Sequence, residues 1–235
     1  MIRTGLIATA LAVAAMAGSV AWLANTIPPG TYVPIHWNGE FFIKGADTRE
    51  QALIVMSVFP LAALLLAGLF SLLPALEPWR ENLFSSRKLL LGTWIGVMIL
   101  LTGICFGFGL AFMRSVENYM NDPFPIIRAI IAASAALFVV IGNYLPKSRR
   151  NWFVGIRTPW TMSSDNTWEK THRLAGLMFM AVGLAGIVLA FVLNGLALAL
   201  MLPAMILPVV MITAVYSYFV WRGANDRDLD PELIV

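Results

Sequence analysis

Six long apolar blocks leave this chain few folds to choose from. They run over about 5–24, 52–74, 90–113, 126–145, 174–193 and 196–221. At a rise of about 1.5 Å per residue, some 20 residues cross a hydrocarbon core of about 30 Å. No water reaches that core, so every backbone amide has to find its partner inside its own segment, and a helix does this. The composition agrees, with 59% hydrophobic and only 12% charged residues, where a soluble domain carries roughly a quarter. The expected fold class is all-α, a polytopic membrane protein of six transmembrane helices.

The first block invites a second reading. Arg3 followed by Leu6–Leu23 has the outline of a secretory signal peptide. Its apolar run is longer than the usual h-region of roughly 7–15 residues, and five spans follow it. A retained first helix is therefore expected. Two units are expected along the chain. Residues 1–75 form a two-span unit with an outer loop over 25–51, and residues 76–235 form a four-span unit with a motif loop over 146–173.

The cations fall unevenly between the two sides. Arg3, Arg80, Arg87, Lys88, Lys147, Arg149, Arg150, Arg157, Lys170, Arg173, Arg222 and Arg227 share one side. Lys44, Arg49, Arg114 and Arg128 share the other. Lys and Arg accumulate in cytoplasmic loops, so a twelve-to-four split places both termini and the 146–173 loop in the cytoplasm.

Inside the spans, Gly92, Gly96, Gly103 and Gly107 recur at steps of 4, 7 and 4 on one face of the third helix. Such small-residue faces let a second backbone approach closely. Packing within the bundle is expected, with a homodimer through the same face as the alternative. Pro60, Pro203 and Pro208 interrupt the second and sixth spans and read as structural kinks. Apart from Arg128, near one end, no charged or histidine side chain lies inside a block. Proton-coupled carriers need ionisable groups at depth, so a conventional transporter is disfavoured. The single cysteine, Cys105, permits neither an internal disulfide nor a cysteine-based metal site.

Two loops are unlike plain connectors. The outer one contains Val33-Pro34-Ile35-His36-Trp37-Asn38-Gly39. Proline pushes the preceding residue to extended geometry, and Asn-Gly then turns the chain. The inner one contains Asn151-Trp152-Phe153-Val154-Gly155-Ile156-Arg157-Thr158-Pro159-Trp160-Thr161, then Trp168-Glu169-Lys170-Thr171-His172-Arg173. Asn166 with Glu169 fits an N-cap and a carboxylate at the third helical position. Glu169 and Arg173 are spaced to pair, and Trp168 and His172 share a neighbouring face. Interfacial anchoring accounts for one or two aromatics, but not for a loop of 28 residues. Arg157 offers a planar fork for a carboxylate, a phosphate or a set of carbonyls.

The inner motif closely resembles the signature of the SdpI family of bacterial membrane proteins, named for immunity to a secreted killing peptide. The outer motif resembles the small domain of unknown function that opens many members. The resemblance implies a six-span, multi-pass protein of the bacterial plasma membrane, without cofactor or bound metal. It implies toxin resistance, with a toxic peptide and a soluble transcriptional repressor as partners, the repressor being held at the membrane when toxin is present. It singles out Asn151, Phe153, Gly155, Arg157, Thr158, Pro159, Trp160, Trp168, His172 and Arg173 in the inner loop, and Pro34, His36, Trp37, Asn38 and Gly39 in the outer one. The alternative function is a transporter or channel for a small solute, with the kinked sixth span lining a path. An enzyme is not expected: His36 and His172 fall on opposite sides, and no convergent nucleophile, base or metal set is present.

Overall fold

The structure is a computed structural model. It describes residues 1–37, 43–116 and 124–227, with the side chains of 34–37, 43–44, 115 and 124 outside that description. Asn38 and Gly39 of the outer motif, and the expected turn at Asn121-Asp122-Pro123, lie outside the described residues. Pro34, His36 and Trp37 are described as backbone alone.

In chain order the elements are α1 (Ile2–Thr26), β1 (Tyr32–Trp37), β2 (Ile43–Thr48), α2 (Arg49–Leu76), α3 (Arg80–Ser85), α4 (Arg87–Val116), α5 (Phe124–Tyr144), a 3-10 turn (Leu145–Lys147), α6 (Pro159–Met162), α7 (Asp165–Leu189) and α8 (Gly195–Arg222). Six of the helices are long and apolar enough to cross a membrane: α1, α2, α4, α5, α7 and α8. Helix and apolar block differ most at the fifth span. Its helix begins at Asp165, so the polar residues 165–173 form its first turns.

Helices α1, α2 and α4 enclose one core, with Met16, Leu23, Met56, Trp94, Met98 and Phe112 buried in it. Trp94 Nε1 donates to Thr9 Oγ1 at 3.0 Å, and Thr9 Oγ1 donates to the Gly5 carbonyl at 3.0 Å. Two polar side chains in the apolar interior are thus paired with each other and with backbone. On its other side α4 meets α5. Gly92, Gly96 and Gly107 take up Val140, Leu137 and Ile126 of α5, and Gly103 faces open space. Three of the four glycines on that face are therefore occupied inside the chain.

Helices α5 and α7 pack most closely of all. A Cβ on Gly142 would stand 2.6 Å from the Gly176 carbonyl, and one on Gly183 would stand 2.6 Å from the Ala135 carbonyl. Only glycine allows that backbone approach. Helix α8 leans mainly on α7, and its buried residues are Leu198, Met201, Val209, Thr213 and Ser217. At the α7–α8 turn, Arg128 donates to the Phe191 carbonyl at 3.1 Å and to Asn194 Oδ1 at 2.5 Å. The one cation inside an apolar block thus closes a helix end, where free carbonyls await donors.

The expected extended stretch after Val33 is a strand, and it pairs antiparallel with β2, a partner the sequence did not reveal. The register is Tyr32 with Thr48, Val33 with Asp47 and Pro34 with Ala46. Val33 is buried in the α1–α2–α4 core. The Arg49 guanidinium donates to the Ile27 carbonyl at 2.7 Å.

Met1 packs against the Leu73, Leu83 and Leu90 cluster together with Phe153 and Val154. The N-terminus, the α2–α4 connection and the 146–164 loop therefore meet at one end of the bundle. The hairpin lies at the other end, between α1 and α2.

Candidate functional site

The inner motif is built around Asn151, which is fully buried. Its Oδ1 accepts from the N–H groups of Phe153 and Val154 at 3.0 and 2.7 Å. Its Nδ2 donates to the carbonyls of Arg149 and Val154 at 2.7 and 3.2 Å. One amide side chain thus replaces the regular hydrogen bonding that a turn of this shape lacks. The turn drives Phe153 and Val154 into the bundle end beside Leu83 and Leu90.

Gly155 follows with φ +117°, in the region that disfavours side chains. Its Cα lies against the His172 ring, where a Cβ would come within 2.3 Å of Nε2. The Ile156 N–H donates to His172 Nε2 at 2.9 Å. His172 Nδ1 pairs with the Trp168 carbonyl at 2.7 Å. With Nε2 accepting, Nδ1 carries the proton and the imidazole is neutral. The Trp168 and His172 rings stack with centroids 3.9 Å apart, and Trp168 Nε1 donates to the Ser148 carbonyl at 3.1 Å. The pair expected on one face is therefore a clamp from α7 onto both sides of the Asn151 turn.

Thr158 caps α6 and accepts from the Thr161 N–H at 3.2 Å. Its hydroxyl also meets Ser217 Oγ of α8 at 2.9 Å. Trp160 lies edge-on to Tyr218, centroids 5.0 Å apart, and 5.7 Å from Trp221. Pro159 is exposed at the first position of α6, where its missing N–H costs nothing. Arg157 is exposed, and its guanidinium donates back to the Trp152 carbonyl. Arg173 is exposed too and pairs with Glu169 at 2.5 Å, as spaced.

The cap of α7 is a correction. The sequence places it at Asn166, but the helix begins two residues earlier, capped by Ser164, whose Oγ accepts from Thr167 N at 3.0 Å. Asp226 of the tail explains the choice. Its carboxylate accepts from Ser164 Oγ at 2.7 Å and from the Asn166 N–H at 2.9 Å. Asn166 thus lies in the first turn, with its amide already taken.

Four further residues hold the site and were not read from the sequence. Glu77 is buried at the end of α2. Its carboxylate accepts from the N–H groups of Trp79 at 3.2 Å and Trp152 at 2.9 Å. Asn82 Nδ2 donates to the Arg150 carbonyl at 2.8 Å. Arg150 donates to the Met162 carbonyl at 2.8 Å, pairs with Asp165 at 3.2 Å and stands 5.1 Å over the Trp79 ring. Asp226 is the fourth. A carboxylate next to Pro78-Trp79 at the end of an apolar block was the visible signal for Glu77.

Among the described residues, no three metal-ligating side chains come together. His36, in β1, and His172 stand at opposite ends of the bundle. The motif divides by role. Asn151, Gly155, Trp168 and His172 fix the shape, while Trp152, Arg157 and Pro159 face outward from it. The result is an exposed aromatic and cationic surface at the end that carries the N-terminus.

Comparison with known proteins falls on this region. Residues 147–220 match the model of the SdpI/YfhL protein family. The curated Immunity protein SdpI of Bacillus subtilis (strain 168) is 30% identical over 100 residues, 42% of this chain and 48% of that protein. The matched stretch thus spans about half the length of that relative. No solved structure matches the chain. The resemblance carried by the motif is borne out: from the inner loop through α7 and most of α8, this membrane chain matches the SdpI/YfhL family model.

Proposed function

We propose that this chain confers immunity to a toxic peptide from within the bacterial plasma membrane, without catalysing a reaction, and that the inner loop is its working surface. The observation that supports the reading most is the coincidence of the family match with a loop held by side-chain hydrogen bonds from three other parts of the chain. Partly buried hydrogen bonds to Glu77 at the end of α2, to α7 and to the tail hold that loop in one shape. A connector needs no such determination, whereas a recognition surface needs its exposed groups fixed. The charge asymmetry supports a cytoplasmic position for this surface. A soluble transcriptional repressor held there is the finer form of the proposal.

Survival under toxin challenge in a sensitive host, normalised to membrane protein level, tests it. Arg157→Lys keeps the charge but loses the planar fork, and is expected to impair protection while the protein accumulates normally. Trp160→Ala, which strips the support of Tyr218 and Trp221, is expected to do the same. Full protection by both variants at normal abundance rejects the loop as the working surface.

A further inference from the structure

We infer that the outer face of α8 is a binding site for one anionic phospholipid. The buried stripe of this helix faces the bundle. On the opposite face Met211, Val215 and Phe219 follow one another at steps of four, with 66%, 56% and 62% of their surface exposed. Together with Ile212 and Tyr216 they line a shallow, open groove of wholly apolar surface. Arg222 continues the same stripe three residues beyond Phe219, so the groove ends at a cation.

That cation is part of a small platform. The Arg222 guanidinium stands 5.9 Å over the Tyr218 ring, and the Arg227 guanidinium stands 5.5 Å over Trp221. The two rings are 6.4 Å apart and rest on Trp160. Both arginines are exposed, and the nearby Asp226 carboxylate is turned to Ser164 and Asn166. Tyrosine and tryptophan belong at headgroup depth, and a guanidinium fork matches a phosphate.

The lengths agree. Met211 to Arg222 spans about 16 Å along the helix, close to half of a hydrocarbon core of about 30 Å. An acyl chain laid in the groove therefore brings its own phosphate to the arginine pair. Net negative charge is what the pair selects, because a zwitterionic headgroup brings a competing cation. A basic side chain near a charged membrane surface is worth about fivefold in affinity.

The test uses the full chain in nanodiscs of phosphatidylcholine and phosphatidylglycerol in equal parts, with lipid retained on the protein counted by native mass spectrometry. Phosphatidylglycerol is expected to be retained preferentially, by more than about tenfold if both arginines contribute. Arg222→Gln with Arg227→Gln should abolish the preference. Arg87→Gln with Lys88→Gln removes the same charge from the same end and should leave it intact. Equal loss in both double variants reduces the effect to general surface charge and overturns the site, as does equal retention of the two lipids by the unaltered protein. Arg222→Lys guards against a folding artefact, since it must keep most of the preference. A Val215→Cys variant that crosslinks efficiently to a second copy would assign the groove to a dimer instead.

Discussion

Gly155 is the residue on which the inner loop turns, for two separable reasons. Its φ of +117° is costly for any side chain, and a Cβ there would strike His172 Nε2. The strike also breaks the Ile156–His172 hydrogen bond inside a buried site. Positive φ costs about 1–2 kcal/mol and a lost buried bond about 1–3, so Gly155→Ala should destabilise by about 3 kcal/mol. Gly30 supplies the control. It also has positive φ, +76°, but nothing lies within 4 Å of its Cβ position. Gly30→Ala should therefore cost only about 1 kcal/mol. Thermal survival of the purified, monodisperse protein compares the two, and equal losses would reduce Gly155 to backbone strain alone. Composition gave no hint of this pairing. Sixteen residues lie between Gly155 and His172, and only the fold puts the ring against the glycine.

Helices and loops differed in how far they were legible, and the difference is physical. A span is dictated by its own apolar run, so all six were readable locally. The cap of α7 was not, because Ser164 with Thr167 and Asn166 with Glu169 are both acceptable starts. Asp226, some 60 residues on, chooses between them by taking the Asn166 N–H and the Ser164 hydroxyl. Glu77 escaped notice for the same reason, as its partner Trp152 comes from another connection. The hairpin was half legible, since Pro34 announces an extended chain but not its partner strand. The tail contact has a pH signature. Partial burial favours the neutral acid of Asp226. The hydrogen bonds from Asn166 and Ser164, with Arg150 nearby, favour the carboxylate more and hold the group below its ordinary 3.8. A carboxyl depressed by folding stabilises above its unfolded value and loses that contribution as pH falls through the folded one. Asp226→Asn should therefore melt below the unaltered protein at pH near 7, with the gap closing under about pH 4. A gap that persists unchanged into acid would mean that the tail is held by packing, not by its charge.

At the scale of the whole molecule, the bundle separates two kinds of end. One gathers the N-terminus, the α2–α4 connection, the inner loop and the tail, and twelve of the sixteen Lys and Arg residues. The other carries the hairpin, with Lys44 and Arg49, and the chain ends of α4 and α5, with Arg114 and Arg128. Two of these four are structurally committed there, Arg49 to the Ile27 carbonyl and Arg128 to the α7–α8 turn. At the motif end Arg150, Arg157 and Arg173 have fixed partners as well, so the twelve-to-four asymmetry stands as counted. By the positive-inside rule the motif end is expected to face the cytoplasm. Two exposed positions report on it without disturbing the fold. Tyr32, 70% exposed, marks the hairpin end, and Lys170, exposed on α7, marks the motif end. The native Cys105 is buried and stays silent toward a bulky reagent. With a membrane-impermeant maleimide on intact cells, Tyr32→Cys is expected to label and Lys170→Cys to label only after permeabilisation. The reverse pattern would turn the molecule over. The inner loop would then face the medium, within direct reach of a secreted toxin, and a soluble cytoplasmic repressor would have no access to it.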